Sequence, residues 1–87
     1  MTHSEFALIV AALAESHACS VTSWWRSERR NHLVGGHQNS YHLRGLAADF
    51  TFDTPNDRAE FIERARNYPL DVVPEDDHVH IEPRPGA

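Results

Sequence analysis

The sequence predicts a compact α+β domain. Two segments, 4–18 and 55–67, repeat apolar residues at three- and four-residue steps, which is the spacing of a helix with one buried face. Two others, LAADFTF and HVHIE, alternate between side-chain types as a strand does when one face is buried. The length of 87 residues suits one domain, so we expect residues 1–87 to form a single unit.

Both predicted helices have recognisable starts. Thr2 or Ser4 is placed to cap the first helix. Thr54 caps the second, Pro55 takes its first helical position, and Tyr68 follows its end.

A strand and a shorter helix are predicted between the two main helices. CSVTSWW has the β-branched and aromatic residues typical of a strand. SERRNHLVGG follows as a short helix, with Ser27 as its N-cap and a glycine pair at its end. Because Trp24 and Trp25 alternate, we expect one in the core and the other lining a cleft or exposed.

The two alternating segments sort polar side chains onto one face of the predicted sheet. In the earlier segment Asp49 points away from the face that carries Phe50. In the later one His78, His80 and Glu82 share a face. Carboxylates and imidazoles therefore follow the same side of two strands.

Composition excludes some classes of partner. The chain has eight Arg and no Lys against thirteen acidic residues, and its net charge of -5 argues against nucleic acid, which demands clustered positive charge. No signal peptide is visible, and the apolar run near the N-terminus is too short to span a bilayer. We expect synthesis in the cytoplasm and no membrane partner.

The single cysteine and four of the histidines have structural interpretations. Cys19 cannot form an intrachain disulfide and is expected to be a buried small hydrophobe. Without a disulfide, so small a chain would gain stability from another cross-link such as a bound metal. The four histidines expected on the surface or in loops are His3, His17, His32 and His37.

Two histidines and a carboxylate make a candidate metal site. His42 precedes Asp49 by seven positions, and His80 lies on another strand. Catalytic zinc commonly takes three ligands of these types and leaves a fourth position open. The residues alone leave alternatives, because His42 and Asp49 also suit a turn residue and a capping carboxylate, and HVH also suits a solvated strand face.

The order of motifs resembles a known family. TSWWRS, NHLVGG, NSYHLRGLAADF and DDHVHIE together resemble the zinc D-alanyl-D-alanine carboxypeptidases and the related phage L-alanyl-D-glutamate endopeptidases. Their pattern is S-x-H-x-x-G-x-A-x-D followed by a late H-x-H, and positions 40, 42, 45, 47 and 49 match it. The resemblance spans about residues 21–82. It implies the hedgehog/DD-peptidase fold, so we expect a small antiparallel sheet with two main helices packed on it.

By position, the resemblance implies the residues of a zinc site. His42, Asp49 and His80 correspond to the zinc ligands. Arg26 falls where the family keeps an arginine that binds the substrate carboxylate or the developing oxyanion, and Ser40 lies at the edge of the site. The family glycine two residues before that arginine is replaced here by Trp24, which changes the nearby pocket wall.

The resemblance offers two candidates for the general base. Asp77 stands three residues before His80, as in the phage members, whereas other members place the acid nearer to Glu75. We choose Asp77 and keep Glu75 in reserve. Alternation puts Asp77 off the His80 face, so the chain must bend there. His78 corresponds to a histidine that hydrogen-bonds near the metal and stabilises the transition state.

The implied activity is hydrolysis of an amide bond in peptidoglycan stem peptides, of the D-Ala-D-Ala carboxypeptidase or the L-Ala-D-Glu endopeptidase type. We expect a monomer that reaches the cell wall through phage lysis or a virion. The alternative is a zinc-stapled binding or structural module of the same fold, for example in a phage particle. It is kept because the chain is short and acidic, whereas an enzyme that attacks an anionic wall gains from positive charge.

Overall fold

A computed structural model of the chain describes residues 1–24, 35 and 45–87. The described residues form two helices and four strands, which confirms the α+β prediction: α1 (His3–Ser16), β1 (Cys19–Ser23), β2 (Ala48–Phe52), α2 (Pro55–Ala65), β3 (Leu70–Pro74) and β4 (Val79–Pro83). The predicted short helix after Ser27 and the second tryptophan, Trp25, lie outside the described residues.

The four strands form one antiparallel sheet in the order β1-β2-β4-β3. Strand β4 therefore lies between β2 and β3 and brings the last part of the chain beside β2. The pairing of β1 with β2 shifts register between Val21 and Ser23, which marks an irregularity at Thr22. The small antiparallel sheet that the family resemblance implied is thus present.

Helix α1 begins with a capping box. The Thr2 hydroxyl accepts a hydrogen bond from the Glu5 N–H at 3.2 Å, and the Glu5 carboxylate accepts one from the Thr2 N–H at 3.1 Å. The helix ends at Ser16, two residues before the predicted end, because His17 has extended backbone. Its buried face excludes Leu8, which is 73% exposed. Within the described ranges, no helix is long and apolar enough to cross a membrane.

Helix α2 begins as the sequence predicts. The Thr54 hydroxyl accepts a hydrogen bond from the Asp57 N–H at 3.1 Å, and Pro55 occupies the first turn. The helix ends at Ala65, and the turn that follows contains Asn67, where the prediction had placed the helix end. The caps fix where α2 starts, and its first turn faces the loop between β3 and β4.

The core lies between the two helices and one face of the sheet. The Phe50 and Phe61 rings join β2 to α2 with centroids 4.6 Å apart, and Phe52 lies 4.9 Å from Phe61. The fully buried side chains of greatest volume come from both layers: Phe6, Leu13, Phe50, Phe61, Val79 and Ile81. The helices therefore cover one face of the sheet, and polar residues follow the other.

Trp24 belongs to the core. Its ring is half-buried and meets Phe6 edge-to-face at 6.5 Å, and its indole N–H donates to the Gly45 carbonyl at 3.3 Å. Gly45 is buried and has a φ of 68°, a left-handed conformation that favours glycine. Trp24, which replaces the family glycine, thus packs towards the core. Its indole hydrogen-bonds to the backbone of Gly45, which belongs to the first family motif.

Two residues that were expected to have no role in the site lie near α1, namely His17 and Cys19. His17 lies in the connection after the helix, as expected, but it is half-buried with its ring 5.7 Å from that of Phe61. Cys19 is half-buried against the core, and burial raises the pKa of its thiol. A raised pKa keeps the thiol protonated and unreactive near neutral pH.

Candidate metal and catalytic site

Asp49 and His80 form a cross-strand pair on the face of the sheet opposite to α1 and α2. They are directly opposite in the β2–β4 register, and the Nδ1–H of His80 donates to Oδ1 of Asp49 at 2.7 Å. The side chains are only 14% and 22% exposed. Phe50, Val79 and Ile81 are fully buried on the opposite face, so the alternation of the strands fixes the direction of this polar pair.

His78 connects this pair to Asp77. The Nε2 atom of His78 lies 4.0 Å from Oδ1 of Asp49, and its Nδ1–H donates to Oδ1 of Asp77 at 2.6 Å. Asp77 lies at a bend before β4, as the sequence requires, and its side chain is 90% exposed. The hydrogen bond from His78 lowers the pKa of the Asp77 carboxyl group. His78 therefore lies between the two carboxylates, hydrogen-bonded to Asp77 and 4.0 Å from Asp49.

Glu82 is a neighbour that the sequence reasoning left without a role. Its Oε1 atom lies 3.9 Å from Nε2 of His80 and its side chain is 29% exposed. Strand parity had placed Glu82 on the same face as His80, and this was the available signal. Carboxylates and imidazoles thus alternate across the site: Asp77, His78, Asp49, His80 and Glu82.

The pKa of His80 is raised above its ordinary value. The hydrogen bond to Asp49 is the main cause and outweighs the opposing effect of burial, and the negative charges of Asp49, Glu82 and Glu75 act in the same direction. The site therefore favours positive charge on His80. A divalent cation at the same position would benefit from the same carboxylates.

This raised pKa predicts a pH dependence of stability in the presence of a chelator. Because the folded-state pKa of His80 exceeds the unfolded value of about 6.5, its contribution is complete below that pH and is lost as pH rises through the folded-state pKa. We expect the wild type to exceed His80→Gln in unfolding free energy by more at pH about 5 than at pH about 9. Urea titrations of both proteins at the two pH values measure this difference in unfolding free energy. A difference that does not change with pH would contradict the prediction.

The predicted site residues fall into two groups. Asp49, His78, His80 and Asp77 lie together, whereas Glu75 is exposed in the turn that precedes them. The other predicted residues lie outside the described part of the chain: Arg26, Ser40 and His42.

Asp49 and His80 are suitable donors for zinc, since both are ionisable ligand types and their side chains already meet. Two donors are fewer than zinc needs from a protein. Among residues 1–24, 35 and 45–87, no group of three or more His, Cys, Asp or Glu side chains is arranged to hold a metal. The third predicted ligand, His42, belongs to the part of the chain that is not described.

Arg58 contacts the backbone of the loop that carries Asp77 and His78, and no sequence motif had singled it out. It is half-buried on α2, and its guanidinium donates to the backbone carbonyls of Glu75 and His78. Arg58 precedes the buried Phe61 by three positions, so the two residues lie on neighbouring turns of one helix. This spacing was the only sign of the position of Arg58 in the sequence.

A cavity of about 260 Å³ lies between the start of α2 and the loop before β4. It is open to solvent and does not include Asp49 or His80, although Asp77 lies on its wall. Both polar and apolar residues line it: Phe52, Asp53, Thr54, Pro55, Arg58, Asp76 and Asp77. The cavity is therefore separate from the cross-strand pair, and Asp77 stands between the two.

Comparison with protein families identifies the chain. The family model described as Peptidase M15 matches residues 7–82, which include α2, β1, β2 and β3, most of α1 and β4, and every predicted site residue. The chain belongs to the peptidase M15 family. Searches of curated proteins and of solved structures found no match. Peptidase M15 membership confirms the resemblance that rested on residues 21–82, and proteins of this family are typically zinc-dependent peptidases.

Proposed function

We propose that this chain is a zinc peptidase that hydrolyses an amide bond in peptidoglycan stem peptides, of the D-Ala-D-Ala carboxypeptidase or L-Ala-D-Glu endopeptidase type. The observation that carries the proposal is the Asp49–His80 pair at 2.7 Å with His78 beside it, in a chain of the peptidase M15 family. Peptide hydrolysis needs ligands for a metal, a group that moves a proton and a means of binding substrate.

Asp49 and His80, together with His42, would hold the metal. When bound in such a set, zinc polarises a carbonyl and lowers the pKa of water towards roughly 7. The partial burial of Asp49 and His80 supports this role, because shielded carboxylates attract a cation more strongly than exposed ones do.

Asp77 and His78 would move the proton. The Asp77 carboxylate is exposed beside the predicted ligands, and it would accept a proton from water and later give it to the leaving amine. The hydrogen bond from Nδ1 of His78 holds that imidazole with Nε2 towards Asp49, and the protonated ring would donate from Nε2 to a substrate oxygen on which charge develops. Glu75 remains the alternative base.

Arg26 and Ser40 would bind the substrate, with the Arg26 guanidinium on a carboxylate or on the developing oxyanion. The substrate lies in the cell wall, so the protein would act there after delivery by phage lysis or a virion. Mass spectrometry of muropeptides before and after digestion reports both activity and the bond that is cut.

Asp77→Asn tests the proposed base. An amide can still accept the hydrogen bond from His78 but cannot take a proton, so we expect peptide release to fall at least about 100-fold while bound zinc stays at the wild-type level. Glu75→Gln is the matched control, since it removes an exposed carboxylate from the same turn. Wild-type activity in Asp77→Asn would rule out this base, and a selective loss in Glu75→Gln would transfer the role.

The same experiment separates the enzyme from a zinc-stapled binding module. A module would bind zinc and keep its fold in the wild type and in Asp77→Asn alike, without releasing any muropeptide. Zinc-loaded wild type that produces no new amine from peptidoglycan would therefore favour the module.

A further inference from the structure

The loop between β3 and β4 carries much of the proposed chemistry, and α2 holds it from one side. The Nη1 atom of Arg58 donates to the His78 carbonyl at 3.2 Å, and Nη2 donates to the Glu75 carbonyl. Inside the loop, the Glu75 N–H donates to the same His78 carbonyl at 2.8 Å. The guanidinium thus bridges the two ends of a four-residue turn whose own hydrogen bond joins the same residues.

The composition of this turn opposes its closed form. Glu75, Asp76 and Asp77 are consecutive acidic residues and all three are exposed, so mutual repulsion and solvation favour an open loop. The turn must nevertheless present Asp77 and His78 in a fixed direction, since a displacement of about 1 Å can cost about 100-fold in rate.

Helix α2 is a firm base from which to support this turn. Phe61 is fully buried on the next turn of the helix and packs against Phe50 and Phe52 of the sheet. The start of the helix is fixed by the hydrogen bond from the Asp57 N–H to the Thr54 hydroxyl. Arg58 lies between these two anchors, so its position is set by the core and the cap rather than by the loop it contacts.

We propose that Arg58 is a positioning residue that fixes the β3–β4 turn and thereby aims Asp77 and His78 at the Asp49–His80 pair. This inference rests on the proposed peptidase function. Arg58 touches main-chain carbonyls and acts only through the turn. Its role depends on the planar guanidinium fork, because two N–H groups must reach two carbonyls at once.

Arg58→Lys is the test, since it keeps the charge and most of the stem but loses the fork. We expect kcat to fall about 10- to 100-fold while KM and bound zinc stay near wild-type values. Arg64→Lys is the matched control, an exposed arginine on the same helix, and should leave kcat unchanged. A kcat for Arg58→Lys within about twofold of wild type would overturn the proposal.

A second readout does not depend on peptidase activity. The imidazole ¹⁵N and ¹H resonances of His78 report its hydrogen bond to Asp77, and we expect them to shift or broaden in Arg58→Lys and to stay in place in Arg64→Lys. If the wild type cleaves no peptidoglycan, the proposed function fails but the resonances still decide whether Arg58 fixes the turn. Unchanged His78 resonances in folded Arg58→Lys would overturn the proposal.

Loss of the fold has its own control. If Arg58→Lys unfolds, Arg58→Ala in the presence of guanidinium ion replaces it, and the ion should restore kcat and the His78 resonances if the fork is what matters. Equal recovery with ammonium ion, or recovery of stability without recovery of the resonances, would contradict a positioning role.

Discussion

Replacing His80 with alanine is expected to lower zinc affinity by more than about 100-fold and to abolish amide hydrolysis. The expected loss exceeds the 10- to 100-fold that is typical when only a residue supporting a ligand is changed. His80 is one of the two proposed zinc ligands that lie in the described part of the chain, and its removal would leave Asp49 without the hydrogen bond at 2.7 Å. Isothermal titration with zinc and release of muropeptides measure the two effects.

The matched control for this substitution is His3→Ala, which removes an exposed histidine from α1. It should leave zinc affinity and hydrolysis at the wild-type level. If His80→Ala binds zinc with unchanged affinity, the ligand assignment is wrong. If His80→Ala loses zinc binding but the wild type hydrolyses no peptidoglycan, His80 is a ligand of a structural metal site.

Replacing Phe61 with alanine is expected to lower the free energy of unfolding by about 3–5 kcal/mol. The side chain is fully buried, and its ring contacts Phe50, Phe52 and His17 at centroid distances of 4.6, 4.9 and 5.7 Å. The loss would be a large part of the total, since a chain of 87 residues typically has about 4–13 kcal/mol of stability. Urea unfolding followed by circular dichroism measures the change.

Leu8→Ala is the control for this prediction. Leu8 is 73% exposed on α1, so its removal should change the unfolding free energy by no more than about 0.5 kcal/mol. Similar losses for Leu8→Ala and Phe61→Ala would contradict the core described for this domain.

Local patterns in the sequence predicted both described helices and the strands β1, β2 and β4. Thr2, Thr54 and Pro55 mark helix starts through hydrogen bonds and a fixed φ that depend only on neighbouring residues. Alternation likewise puts Asp49 and His80 on the polar faces of their strands. The helix ends were less accurate because extended backbone at His17 depends on how the chain enters β1.

The arrangement of the site depends on contacts that leave no local pattern. Alternation cannot reveal that β4 lies beside β2, nor that Asp49 and His80 share a register position, because strand order is decided by packing over the whole core. The contacts of Arg58 are harder still to predict, because its partners are backbone carbonyls, which every residue has. The residues alone made a meeting of the two strands a condition of the candidate metal site, and the family resemblance favoured it.

The position of β4 in the middle of the sheet also bears on how the domain folds. Asp49 and His80 are 31 positions apart, and α2 and β3 lie between them along the chain, whereas β4 lies between β2 and β3 in the sheet. Contacts between distant parts of a chain form slowly because a long loop must first close. Formation of the candidate ligand pair therefore requires closure of the loop that contains α2 and β3, so the pair depends on the tertiary fold and not on one local segment.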